Sequence, residues 1–192
     1  RNMRRKIVRA GKTEVIIICS KHGDFKQTPN DHLNGHGCRK CQYEKLADLL
    51  FPEVVNTPEY YEEKFPYRKL PNKAEVTRMA PSPTGFIHLG NLYSALADER
   101  IAHKNGGVFY LRIEDTDEKR KVDGAVETII NVLRYFDIEF DEGAGFPDDA
   151  PQNAYGPYFQ RQRVEIYHAY AKSLVLRGLA YPCFCTEETL EK

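Results

Sequence analysis

The chain has 192 residues, 41% of them hydrophobic, and 28 Lys and Arg against 28 Asp and Glu, so its formal net charge is zero. This is ordinary globular composition, with room for one core plus a small module and no apolar run near the ~20 residues of a membrane helix. No basic-then-apolar leader opens the chain, and five cysteines in close pairs (Cys19, Cys38, Cys41, Cys183, Cys185) argue against a secreted disulfide framework and for a reducing cytoplasm. The chain opens on Arg1, and Lys192 falls inside a charged helix-like run, so a fragment is expected at both ends.

The zero net charge hides an uneven balance. Residues 1–45 carry 11 Lys and Arg against 4 Asp and Glu, and the other 147 carry 17 against 24. A basic head on an acidic body predicts two modules with different partners, although a short basic segment is also what a solvated surface looks like. The head, residues 1–41, contains an apolar strand, Val15–Ile18, that leads into Cys19-x2-His22. Gly35 and Gly37 then lead into Cys38-x2-Cys41. Two close pairs with a turn-rich stretch between them have the spacing of a tetrahedral zinc site, and a module this small gains needed stability from a metal. Zn²⁺ on Cys19, His22, Cys38 and Cys41 is therefore expected, with His32 and His36 ranked behind His22. The positive charge suggests contact with nucleic acid.

Residues 42–75 form a connector: a short amphipathic run, Tyr43–Phe51, then a Tyr-rich stretch punctuated by Pro52, Pro58, Pro66 and Pro71. From residue 76 to 192 strand and helix patterns alternate. Strand Val76–Met79 precedes helix Leu92–Lys104, and strand Val108–Ile113 follows a Gly106-Gly107 turn. Helix Gly124–Phe136 has apolar residues at helical spacing (Val126, Ile129, Ile130, Val132, Leu133), and a loop, Asp141–Pro157, leads to helix Val164–Arg177 with Gly178 as its C-cap. A last strand is expected over Leu179–Phe184. This order predicts an α/β fold, a Rossmann-like doubly wound parallel sheet, binding ligands beyond the carboxyl ends of its strands.

Two segments lie at such ends. The first is Ala80-Pro81-Ser82-Pro83-Thr84-Gly85-Phe86-Ile87-His88-Leu89-Gly90-Asn91. Two prolines stiffen it, and it runs into a helix start, where unpaired N–H groups and the dipole favour an anion. His88 and Gly90 are placed in the first helical turn, Gly90 allowing a flat group close to the backbone and His88 able to donate to a phosphate oxygen. Neither Gly-x-Gly-x-x-Gly nor Gly-x4-Gly-Lys-Ser/Thr is present, so the phosphate solution is a different one. Arg78 and Ser82, near the strand end, could hold a carboxylate. The second segment is Arg112-Ile113-Glu114-Asp115-Thr116-Asp117, in which Arg112 and Glu114 share a face. Its carboxylates could hold an ammonium or a ribose, or simply cap the next helix and pair with Lys119, Arg120 and Lys121.

Val76-Thr-Arg-Met-Ala-Pro-Ser-Pro-Thr-Gly-Phe-Ile-His-Leu-Gly90 resembles the amino-terminal signature of glutamyl-tRNA synthetases, with His88-Leu89-Gly90-Asn91 standing where class I synthetases carry His-Ile-Gly-His. The resemblance continues through Gly106–Asp117, Phe140-Asp-Glu-Gly143, Gly156-Pro-Tyr-Phe-Gln-Arg-Gln-Arg163 and Gly178-Leu-Ala-Tyr-Pro-Cys-Phe-Cys185, about three quarters of the chain. It implies ATP-dependent attachment of L-glutamate to tRNA(Glu) through a glutamyl-adenylate, with Mg²⁺ accompanying ATP, in a cytoplasmic and monomeric enzyme. By resemblance His88 and Gly90 are catalytic. Thr84, Gly85, His88, Gly90 and Asn91 hold the nucleotide. Arg78, Ala80, Ser82 and Glu114 hold glutamate, Arg78 on its side-chain carboxylate and Glu114 on its α-ammonium. Cys183 and Cys185 match a zinc half-site seen in some members, or are two plain thiols.

Three departures stand out. Asn91 replaces the second histidine of the class motif, and Gln160-Arg161-Gln162-Arg163 replaces Gln-Ser-x-Arg. The lysine-rich second signature loop and the anticodon-binding domain are absent from these 192 residues, so this portion is not expected to aminoacylate alone. The head resembles small treble-clef-like zinc modules of phage and nuclease-associated proteins. Two other functions stay open: a glutamyl transferase acting on a modified tRNA base, and a zinc-dependent nucleic-acid-binding protein with a remnant synthetase domain.

Overall fold

The β-branched run at Val15 forms a strand in the computed structural model, which describes residues 13–191. Strand β1 (Val15–Cys19) pairs antiparallel with β2 (Gly23–Gln27), Cys19 opposite Gly23, through a tight turn in which Gly23 takes φ 75°. Alternation leaves Ile16 and Ile18 exposed and turns Ile17 and Cys19 inward. Thr28 caps the short helix α1 (Pro29–Leu33), its side chain accepting from the Asp31 N–H. Helix α2 (Arg39–Leu50) starts four residues before the Tyr43–Phe51 run, directly after Cys38.

The described chain divides into two bodies: residues up to 58 with those from 168 onward, and residues 59–167. In the second body α3 (Pro58–Lys64) leads to β3 (Val76–Met79), α4 (Leu89–Lys104), β4 (Val108–Leu111), α5 (Ala125–Tyr135) and β5 (Glu142–Gly143). The three strands are parallel in the order β3-β4-β5, Met79 beside Leu111 and Leu111 beside Gly143. The expected parallel α/β arrangement is therefore present.

Two glycines make the strand spacing possible. A Cβ on Gly143 (φ 132°) would lie 2.2 Å from the Leu111 carbonyl oxygen, and one on Gly107 would lie 2.0 Å from that of Glu75. The core lies between sheet and helices. Phe109, Leu111 and Ile113 are fully enclosed, with Ile129, Ile130 and Leu133 from one face of α5 and Ala95 and Ala102 from α4. Each large side chain there contributes about 1.5–3 kcal/mol.

Three expectations are corrected. Helix α4 begins at Leu89, three residues early, because Asn91 Oδ1 accepts the His88 N–H and closes the helix start. The loop expected over Asp141–Pro157 contains β5, two residues long and glycine-bearing, too short to leave a periodic signal. No strand forms over Leu179–Phe184: Pro182 removes a ladder donor, and no described strand pairs with the segment. Helix α6 (Val164–Leu176) ends at Gly178 (φ 69°), whose N–H donates to Val175, and a one-turn helix α7 (Glu187–Leu190) follows. In the first body Lys172 ties this helix to α2, its Nζ 3.1 Å from Asp48 and donating to the Phe51 and Val54 carbonyls.

Candidate functional site

The segments after β3 and β4 are held together by backbone. The Arg112 N–H donates to the Met79 carbonyl at 3.0 Å, that of Glu114 to Pro81 at 3.0 Å and that of Val122 to Pro83 at 2.9 Å. Pro83 is fully buried beneath the loop, and the Thr84 N–H folds back on Ser82 at 2.8 Å. A proline-stiffened loop with its carbonyls spent on a neighbouring strand end is a preorganised frame.

On this frame Arg78 Nη1 lies 3.6 Å from Glu114 Oε1, and Arg112 Nη2 donates to the same oxygen at 3.0 Å. One carboxylate thus faces two guanidinium groups at the carboxyl end of the sheet. The rest of the acidic stretch behaves as plain structure. Asp117 caps a 3₁₀ turn, accepting from the Arg120 N–H and pairing with its side chain at 2.6 Å. Asp115 accepts the Arg161 N–H at 3.0 Å, and Glu118 pairs with the Arg161 side chain. Glu114 alone turns toward the arginines of both strands.

His88 is the N-cap of α4, with extended backbone (φ −87°, ψ 156°), not a member of the first turn; Gly90 is. Both are exposed. Ser82, Thr84, Gly85, His88 and Asn91 line one cleft of about 230 Å³, while Gly90 borders an apolar groove of about 530 Å³ with Leu89, Tyr93, Leu96 and Phe136. Among the described residues a Cβ on Gly90 would meet nothing within 4 Å, so no packing among them demands glycine there. Ala80, half-buried, precedes the first proline.

The sequence did not point to a second polar cluster, built around Glu142 of β5. Glu142 on β5 pairs with Arg68 Nη2 at 2.5 Å and accepts from the Tyr158 hydroxyl, while the Arg68 guanidinium stacks 3.8 Å over Tyr155. Burial, with the Glu142 carboxylate second, drives the Tyr158 pKa upward. Only the Phe-Asp-Glu-Gly run hinted at Glu142, and nothing in the sequence linked it to Arg68, 74 positions away.

In the head, Cys19, His22, Cys38 and Cys41 converge, their ligand atoms all within 4.8 Å of one another. His22 Nδ1 lies 3.6 Å from Cys19 Sγ, 3.6 Å from Cys38 Sγ and 3.4 Å from Cys41 Sγ, and the Cys19 and Cys41 sulfurs are 3.6 Å apart. Zn–S bonds of about 2.3 Å and a Zn–N bond of about 2.0–2.1 Å make tetrahedron edges of roughly 3.6–3.8 Å, so the donor set fits zinc. Backbone N–H groups of Lys21 and His22 lower the Cys19 thiol to about 6, whereas its hydrogen bond to Cys19 and burial push Cys41 up to about 11. The contact with Cys19 also raises the His22 pKa. His32 and His36 stay outside the cluster. Glu44, not expected from the sequence, sits on the far side of the His22 ring, Oε1 3.0 Å from Nε2; its spacing of three after Cys41 on a helix was the available signal.

Cys183 and Cys185 are both exposed, the Cys183 thiol lowered by the Cys185 backbone N–H, and no third ligand joins them among the described residues. The basic excess of residues 1–45 rests on Arg1, Arg4, Arg5, Lys6, Arg9 and Lys12, which lie outside the described residues; residues 13–45 carry five basic and four acidic side chains. Among the described residues no helix is long and apolar enough to cross a membrane.

Residues 75–192 match the family described as tRNA synthetases class I (E and Q), catalytic domain, and residues 7–42 match one described as a protein of unknown function (DUF723). The chain is 62% identical over 151 residues to a glutamate–tRNA ligase of Acetivibrio thermocellus, covering 78% of this chain and 27% of that protein. It is 53% identical over 149 residues to one of Clostridium perfringens, with the same coverage. A crystal structure of a glutamate tRNA ligase from Elizabethkingia meningosepticum in complex with its amino acid superposes with a TM-score of 0.52 at 41% identity, over 62% of this chain and 23% of that one. The chain thus spans about a quarter of the length of these relatives. With more than half its residues matched in order, the chain belongs to the class I tRNA synthetases (E and Q), carrying sequence of their catalytic domain.

Proposed function

We propose that this chain is part of a glutamate–tRNA ligase, the part that grips ATP and glutamate while the adenylate forms. The observation that carries the reading is the pairing of Arg78 with Glu114, side by side on a frame whose loop ends at His88 and Gly90. Glutamate brings a side-chain carboxylate and an α-ammonium, and Arg78 and Glu114 offer one opposite charge to each. Ala80 and Ser82 lie between them along the chain. Thr84, Gly85 and Asn91 shape the phosphate side of the cleft, and the exposed Gly90 leaves the backbone open to a flat base. His88, at the helix start, donates to the α-phosphate as negative charge grows on it in the attack by the glutamate carboxylate. Catalysis here is positioning and electrostatics, with no covalent enzyme intermediate. Magnesium would arrive on the ATP phosphates. The glutamyl group would then pass to tRNA(Glu).

The test uses a polypeptide extended to the length of the relatives. His88→Ala should lower adenylate formation, read as glutamate-dependent ATP–pyrophosphate exchange, on the order of 10²-fold or more. Exchange at the wild-type rate would remove His88 from the chemistry.

For the head, the closed set Cys19, His22, Cys38 and Cys41 supports a structural Zn²⁺. A bound zinc would cross-link the β1–β2 hairpin to the start of α2. Its basic residues 1–12 make it a candidate for an added nucleic-acid contact.

A further inference from the structure

We propose that Glu44 is the positioning residue of this metal centre: its carboxylate accepts the Nε2–H of His22 and so presents Nδ1 to the three cysteine sulfurs. The inference rests on the zinc reading and adds a residue to it. The imidazole has two nitrogens, and a neutral ring carries its proton on one while the other binds metal. Nδ1 faces all three sulfurs at 3.4–3.6 Å, and Nε2 faces Glu44 Oε1 at 3.0 Å. With a metal on Nδ1, only the tautomer with the proton on Nε2 satisfies both sides. A carboxylate on the far nitrogen fixes the ring's rotation and makes the near nitrogen a better donor.

Local structure places Glu44 for this work. Cys38 is the N-cap of α2, and Cys41 and Glu44 follow at intervals of three, which puts them on neighbouring positions of one helix face. A single helix start thus supplies two ligands and the group that orients a third. The His22 side chain is only 17% exposed, so its free nitrogen has little water to turn to. Lys21 Nζ lies 3.5 Å from the other Glu44 oxygen. A surface pair between Lys21 and Glu44 would need nothing from His22, and that is the rival explanation to separate.

The experiment uses the 192-residue chain and zinc itself. Affinity is read by competition with a chromophoric chelator, and the His22 ring by ¹⁵N-detected NMR of the zinc-loaded protein. In wild type, Nδ1 should carry the metal and Nε2 a proton slow to exchange. Glu44→Ala should weaken zinc binding about 10- to 100-fold and speed exchange of the Nε2 proton. Glu44→Gln should lie closer to wild type, because its amide oxygen accepts the same N–H. Lys21→Ala should leave both readouts unchanged. Wild-type affinity and an unchanged Nε2–H signal in Glu44→Ala would overturn the assignment, as would equal losses in Glu44→Ala and Glu44→Gln. No zinc uptake by the wild-type chain would overturn the metal reading itself, before any variant is compared.

Discussion

The Glu114 N–H donates to the Pro81 carbonyl at 3.0 Å, so the residue after β4 is fastened to the loop after β3. The backbone therefore brings the strand ends that carry Arg78 and Glu114 together, and their side chains close the remaining gap to 3.6 Å.

Gly90→Ala separates folding from function. A Cβ there meets nothing within 4 Å among the described residues, and alanine is about 1 kcal/mol better than glycine inside a helix. Thermal melting should show the variant as stable as wild type or more so. ATP–pyrophosphate exchange by the extended polypeptide should fall. A fall in Tm would mean that the glycine serves the fold.

Leu133→Ala tests the core. Leu133 is fully enclosed on α5 against the sheet. Chemical denaturation should register a loss of about 2–5 kcal/mol. A loss under 1 kcal/mol would show that α5 packs loosely against the sheet.

Metal removal should disturb the head. The 192-residue chain should carry about one zinc by metal analysis, and chelator should remove structure from residues 13–50, read as lost amide protection. Because zinc displaces thiol protons, affinity should fall as pH is lowered from about 8 to about 6. Cys41→Ser should weaken uptake; wild-type zinc content in that variant would remove Cys41 from the ligand set.

His103 sets a pH dependence. Its Nδ1 lies 3.0 Å from Glu99 and its Nε2 2.9 Å from Asp141. Burial pulls its pKa down, but the two carboxylates outweigh it and the pKa stands above the ordinary histidine value. A pKa raised by folding contributes stability that is full below the unfolded value, near 6.5, and is lost as pH rises through the folded value. The Tm gap between wild type and His103→Gln should be largest near pH 6 and shrink toward pH 8. In a chain of this size each 1 kcal/mol corresponds to about 2–4 °C. A gap constant across that range would show that the ties act without the charge.

The legible parts of this protein were those with local signals. Periodicity gave α5 almost to the residue, and Cys-x2-His with Cys-x2-Cys gave the four converging ligands. What stayed hidden depended on distant partners. Glu142 and Arg68 meet only because β5 slots beside β4, and β5 is two residues long. The acidic run offered three carboxylates, Glu114, Asp115 and Asp117; the resemblance pointed to Glu114, and the structure sets its side chain against Arg78 and Arg112. The segment Leu179–Phe184 shows the opposite failure, since an apolar strand-like pattern means little without a neighbour to pair with.

The contact between Arg78 and Glu114 also makes each group a competitor for the other's ligand. A simple carboxylate that takes Arg78 leaves Glu114 to Arg112 alone, and a simple amine that takes Glu114 competes with both arginines, so either must offset the attraction it breaks. Only a molecule bearing both charges at the right separation replaces the contact in full. On the proposed reading, the pair should hold half-matching metabolites more weakly than glutamate.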